Sequence, residues 1–279
     1  MDIKCWGSRG SVPVSGPAYL RYGGDTTCIE ITARTGETLI IDAGTGLRRL
    51  GNSLMDRDIH QYYLLLTHAH WDHIMGFAFF RPLQFSKARL IVQDRLFSGV
   101  GTRDVLHEVM KSPFFPISLD DLKARLEFVK YPESGFSIGS VKVEALPTSH
   151  NNGGTGYRFT EDGKTFVFLT DNELGFDHPE SRGFDAYLDF SRDADLLFHD
   201  GEYTEDEYAR KKGWGHSSIK DALDLAVRAG VRQLGLFHLN QDRTDDDMDK
   251  IVKDCRAVLR AGQSPLEVFA VAAGMAVHL

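Results

Sequence analysis

Short apolar runs separated by turn residues dominate this chain, and they follow two rhythms. Runs rich in β-branched and aromatic residues predict strands over 2–6, 26–33, 38–44, 62–66, 89–93, 141–146, 156–159, 165–170, 195–200, 233–238 and 266–272. Turn residues bound them, such as the "EDGK" at 161–164. Helices are marked by their starts. Thr204 with Glu207 three residues on forms a capping pattern, and Gly213 can end that helix. In "SSIKDALDLAVRAG", Ile219, Ala222, Leu223 and Ala226 share one face, with Gly230 at the end. "RTDDDMDKIVKDCRAVLRAG" opens on acids and closes on Arg260 and Gly262, the polarity a helix dipole favours. Strands group in the first half and alternate with helices in the second. That order predicts an α/β molecule of two face-to-face sheets with helices outside, as one domain over 1–279.

Composition narrows the partners. At 279 residues with 42% hydrophobic content the chain can bury a substantial core. No window approaches the roughly 18 uninterrupted apolar residues of a membrane span. "MDIKCWGSRG" has no apolar signal core, so a cytoplasmic location is expected. Cys5, Cys28 and Cys255 are odd in number and far apart, and read as reduced core residues. A net charge of −8 argues against a large polyanion partner, although bound metal can reverse the field locally for a small phosphorylated substrate.

The chemistry concentrates in "LLLTHAHWDH", residues 64–73. His68 and His70 are two apart, so in extended backbone they point the same way; Asp72 and His73 follow where "WDHIMGFAFF" could start a helix. Imidazole and carboxylate donors suit Zn²⁺, Mn²⁺ or Fe, and two pairs suggest two ions. His150, Asp171 and His238 each emerge at the end of a predicted apolar strand, which completes seven ligands. Asp72 is also placed to hold or accept a proton of an attacking water. Asp42, closing the run "TLII", looks buried and is expected to support the ligand loop through hydrogen bonds.

The HxHxDH pattern, the later His, Asp and His, and the "LIIDAGTG" at 39–46 together resemble the metallo-β-lactamase superfamily over nearly the whole chain. That resemblance implies a four-layer αββα sandwich with a two-metal site at one edge, most often zinc. His68, His70 and His150 would hold one ion, Asp72, His73 and His238 the other, with Asp171 bridging. Asp171 at the bridge and no cysteine nearby argue against β-lactam hydrolysis, and His70 argues against the flavodiiron branch, which has Glu there.

"WGHSS" at 214–218 is similar to a motif of the phosphodiesterase branch, ribonuclease Z among its members. The resemblance makes His216 the group that stabilises the scissile phosphate and assists the leaving group. In "FHDGEY" (198–203), Asp200 would orient it, with Glu202 as reserve. Ribonuclease Z grips tRNA with an arm between the third motif His and the bridging Asp; here "NNGGTGYRFTEDGKTFVFL" leaves no room for one. A small phosphodiester such as a cyclic nucleotide is therefore the leading substrate, with a nuclease next and a non-catalytic metal-binding protein third. Relatives are often dimers, which makes a homodimer an expectation. Phe114 and Phe115 in "VMKSPFFPISLDDL" are candidate lid or stacking residues, and Ser217 a substrate contact. "CWGSRGSVPVSGP" has no following GK[ST], so it is no phosphate loop; its glycines suit turns near the metal edge, with Ser8 and Arg9 as candidate contacts. His60, His107, His178 and His278 match no motif, and His199 is undecided.

Overall fold

Alternating strands can bury one face each, so they are stable only when stacked against another layer. The computed structural model describes residues 1–279 and sets helices outside two seven-stranded sheets. Edge to edge, the first sheet runs Ala276–His278, Asp2–Gly7, Cys28–Thr32, Thr38–Ile41, Gln61–Leu65, Arg89–Gln93 and Arg125–Val129. The second runs Glu267–Ala270, Gln233–Phe237, Leu196–Asp200, Lys164–Leu169, Thr155–Glu161, Val141–Pro147 and Phe136–Ile138.

Each sheet is half antiparallel and half parallel. Parallel pairing holds from Thr38–Ile41 to Arg125–Val129 in the first and from Lys164–Leu169 to Glu267–Ala270 in the second. Parallel strands end together, so the loops after Ile41 and Leu65, and those after Leu169, Asp200 and Phe237, gather at carboxyl ends. Val141–Pro147 is antiparallel to Thr155–Glu161, which is antiparallel to Lys164–Leu169. It therefore shares the direction of Lys164–Leu169, and the loop carrying His150 opens at the same edge.

Three apolar layers hold the sandwich. Ile3, Ile31, Leu39 and Leu65 of the first sheet meet Val143, Phe159, Phe168 and Phe198 of the second in one buried cluster. Leu47, Leu50 and Leu54, on one face of the helix Gly46–Asp56, cover the first sheet from outside. Leu223 and Ala226 of the helix Ile219–Arg228, with Cys255 and Leu259 of Asp245–Ala261, cover the second. All three cysteines are buried and unpaired, and no helix is long and apolar enough to cross a membrane.

Local departures from expectation have local causes. The helix expected at Trp71 is a single turn, Trp71–Ile74, followed by 3-10 geometry. Its backbone is tied sideways instead: Ala43 N–H donates to the His73 carbonyl and Gly76 N–H to the Ala43 carbonyl. A Cβ at Gly76 would lie 1.9 Å from the Gly44 oxygen, so only glycine permits that approach. The helix Gly46–Asp56 lacks a side-chain N-cap, because the Thr45 hydroxyl serves Thr26 and Asp25. The strands Arg125–Val129, Phe136–Ile138 and Ala276–His278 and the small hairpin at 96–101 also went unread in the sequence.

Candidate metal centre

The carboxyl-end loops bring the seven expected ligands together. His68, His70, Asp72 and His73 come from the loop after Gln61–Leu65; His150, Asp171 and His238 come from three loops of the second sheet. Donor atoms of His68, His70, His150 and Asp171 lie within 4.8 Å of one another, and so do those of Asp72, His73 and His238. Asp171 faces both groups. Its Oδ2 is 3.5 Å from His68 Nε2 and 3.4 Å from His238 Nε2, and its Oδ1 is 3.3 Å from His73 Nε2. Asp72 Oδ2 lies 3.1 Å from His238 Nε2 and 3.4 Å from His73 Nε2.

A second ring of partners fixes the imidazoles. His73 Nδ1 is 2.8 Å from Asp42, which also accepts from the Thr67 amide and hydroxyl. His150 Nδ1 donates to the Gly215 carbonyl at 2.8 Å, His238 Nδ1 lies 2.9 Å from Glu202, and His68 Nδ1 lies 3.1 Å from the Thr67 hydroxyl. Such contacts set each ring's tautomer and leave Nε2 for the centre. Nε2 of His68 and of His73 is buried with no hydrogen-bond partner at all. A buried imidazole nitrogen aimed at carboxylates and left unsatisfied is costly unless a cation completes it. With nitrogen and carboxylate oxygen as donors and sulfur absent, the set fits divalent ions of the zinc, manganese and iron kind.

Electrostatics agree with that fit. Burial pushes His68 well below the usual imidazole range, with the charge on His73 adding to it. Burial likewise brings His150 down to about 3 against the pull of Asp171. Neutral rings offer a lone pair. His73 and His238 go the other way: burial opposes their charge, but the surrounding carboxylates together outweigh it, Asp171, Asp72 and Asp42 at His73 and Asp171, Asp72 and Glu202 at His238. The carboxylates at the centre demand positive charge.

His216 stands beside this set. Its Nδ1 is 3.0 Å from Asp200 Oδ2, 3.5 Å from Glu202 Oε2 and 4.0 Å from Asp171 Oδ2, and its ring stacks on His238 with centroids 4.6 Å apart. Burial opposes its charge, yet Glu202 and Asp200 raise it to about 9. Asp200 holds His216 more closely than Glu202 does, and Glu202 spends its near contact on His238. Helix capping does not explain His216, because Ser218 caps Ile219–Arg228.

A family model described as the β-lactamase superfamily domain matches residues 37–239, a span that takes in all seven converging side chains. The chain belongs to the metallo-β-lactamase superfamily. Ribonuclease Z of Haloarcula marismortui is 23% identical to it, over 92% of this chain and 91% of the relative. Among solved structures, the metallo-β-lactamase fold protein YhfI from Bacillus subtilis matches with a TM-score of 0.71 at 18% identity, covering 99% of this chain and 98% of that one. A diphosphatase from the PhnP family matches at 0.69 and 18%, covering 100% and 97%. At that identity the likeness is one of fold.

As a hydrolase of this superfamily the protein keeps several expected contacts away from its centre. Ser8 and Arg9 are corrected to structural roles: both are buried, Ser8 Oγ donates to the Val271 carbonyl, and the Arg9 guanidinium donates to the carbonyls of Gly23, Asn240 and Arg243. Buried and turned to backbone carbonyls, neither side chain faces a substrate at the metal edge. Ser217 is corrected likewise: it is fully buried, donates to the Asn172 carbonyl and accepts from the Leu174 amide. Phe115 packs edge-on against Phe79 at the core margin, while Phe114 is 75% exposed and lines a cleft. Gly10 does serve the metal edge, since a Cβ there would strike the His238 ring at 2.2 Å.

Two supports escaped the sequence. Glu173, 1% exposed, accepts from the Gly213 and Gly215 amides at 2.7 Å and the Tyr208 hydroxyl at 2.8 Å, with His178 at 2.9 Å. It anchors the loop that carries His216. Asn172 accepts from the Ser149 amide and donates its own amide N–H to Asp200, with His199 against its side chain. His178 and His199 are thus structural. Only the acidity of "DNELG" after a strand hinted at these anchors.

Proposed function

We propose that the protein hydrolyses phosphodiester bonds in a small substrate, cyclic nucleotides being the leading class, with two divalent ions as cofactors and zinc first among the candidates. His68, His70 and His150 would hold one ion, Asp72, His73 and His238 the other, and Asp171 both. The observation that carries the reading is the buried His216 ring, held 3.0 Å from Asp200 and stacked on His238 at the rim of that donor set. When bound, such ions make water acidic enough to act near neutral pH and neutralise phosphoryl charge. The chain supplies the rest. Asp72, fixed by the Ser11 amide at 2.8 Å, holds or takes a proton of the attacking water. His216, fixed through Nδ1 by Asp200, offers Nε2 to the phosphoryl or departing oxygen and stabilises charge there. A cytoplasmic setting belongs to the same reading and is supported by three buried, unpaired thiols.

Likeness to ribonuclease Z across 92% of the chain supports a second reading, an endonuclease on RNA. Two observations weigh against it: the net charge of −8, and the interval from His150 to Asp171, which is filled by the hairpin Thr155–Glu161 with Lys164–Leu169. The two readings part in one experiment. Zinc- or manganese-loaded protein is assayed on a panel of cyclic nucleotides and, on a denaturing gel, on a tRNA precursor. Turnover of the small diesters supports the first reading; cleavage of the precursor alone, at a single position, replaces it with the second.

A further inference from the structure

We infer that the apolar cleft beside the centre is the specificity pocket for one ester group of the substrate, and that it takes a single uncharged aromatic ring system rather than a run of nucleotides. This rests on the phosphodiesterase reading above. The cleft measures about 600 Å³, and His68 and His70 form part of its lining. A phosphorus bound at the centre therefore has one substituent facing into it. Trp71, Ile74, Phe97, Val105, Val109 and Phe114 supply the apolar walls. Trp71 and Phe114 remain 64% and 75% exposed, although flat aromatic surface is costly to leave in water. An aromatic ring sliding between them removes that surface from solvent and stacks on it.

Charge excludes the alternative occupant. Apart from the two imidazoles, the only ionisable side chain in the lining is Glu108, and no Lys or Arg is present. The next phosphate of a polynucleotide would meet a carboxylate and no cation, the reverse of what a polyanion needs. A ring with a polar edge is accommodated, because Ser98 and Asn152 also line the cleft. The Ser98 hydroxyl donates to the Asn152 carbonyl at 3.1 Å, which links the hairpin at 96–101 to the turn after His150. Both walls are thus fixed to the loop that carries a candidate ligand.

The test uses two anions that cannot be hydrolysed, diphenylphosphinate and dimethylphosphinate, titrated calorimetrically into the zinc-loaded full chain. The phosphorus and its charge are the same in both; only the substituents differ. The expected preference for the diphenyl compound is about tenfold or more, the scale of burying part of a ring. Phe114→Ala, which removes a wall at an exposed position, and Val105→Trp, which fills the cleft, should each shrink that ratio to roughly threefold or less. Equal affinities in the wild type, a ratio untouched by both substitutions, or tighter binding of a five-residue oligoribonucleotide would overturn the inference. Failure here differs from failure of the reaction class. If bis(p-nitrophenyl) phosphate is hydrolysed but the preference is missing, the cleft assignment is wrong; if the preference stands without hydrolysis, the reaction class is wrong.

Discussion

Asp171 sits at φ 50°, and Asp42 and His238 at 63° and 54°, in the left-handed region that side chains other than glycine seldom adopt. Three such residues at one strand edge, all around the metal centre, represent strain that the surrounding contacts hold in place. Replacing Asp171 or His68 with alanine should lower bound metal, read by elemental analysis, and abolish hydrolysis of bis(p-nitrophenyl) phosphate; full activity with little metal would contradict the centre. His216→Ala should differ in kind. Metal content stays at the wild-type level while the rate drops by about 10²–10⁴, the range for one charge-stabilising or acid–base group. At this scale the ligands were legible because imidazoles and carboxylates that follow apolar strands are conspicuous in a sequence. Glu173 was not, since it closes on the Gly213 and Gly215 amides some forty residues away, and no side-chain pattern encodes an amide. Arg9 misled for a related reason. A cation near the site looked available, but three backbone carbonyls had already claimed it.

Among elements, the helix starts after Thr204 and Thr244 were readable from their acidic first turns, and the start at Gly46 was not. Thr204 with Glu207 and Thr244 with Asp247 both form reciprocal capping boxes in the structure. The helix Gly46–Asp56 begins beneath the sheet with its threonine engaged elsewhere, and Arg125–Val129 is an edge strand whose side chains are only partly buried. The helix at Glu205 also carries a pH-dependent tie. Partial burial disfavours the Glu207 charge, but Arg243 at 2.7 Å and the Thr204 amide at 2.8 Å outweigh it and lower the carboxyl to about 2. Arg243 in turn donates to the backbone carbonyl of Glu202, whose carboxylate lies against His238. A carboxyl more acidic in the folded state stabilises fully above its unfolded value of about 4.3 and progressively less as pH falls toward the folded one. The urea-midpoint gap between wild type and Glu207→Gln should therefore be widest near pH 6 and shrink by pH 3. A gap independent of pH would remove charge as its source.

Across the whole molecule, two half-parallel sheets bring strand ends from distant parts of the chain to one edge. Alternation and element order made the sandwich legible, because burying both sheets leaves few other arrangements. Strand order within each sheet was not encoded locally; it depends on which long-range pairings close with the fewest unsatisfied edges. Phe168, buried between the sheets against Phe237 with centroids 5.0 Å apart, belongs to the layer that fixes their spacing. Phe168→Ala should cost about 3–5 kcal/mol of unfolding free energy, measured by urea denaturation. A loss well under 1 kcal/mol would mean the sheets do not depend on that layer. The central claim concerns ions, and one titration addresses it most directly. Protein stripped of metal by a chelator receives zinc in small steps while bound metal and bis(p-nitrophenyl) phosphate turnover are followed together. The expected result is negligible turnover at the start, rising to a plateau as two ions bind per chain. Full turnover before any metal is added, or a protein that binds neither zinc nor manganese, would contradict it.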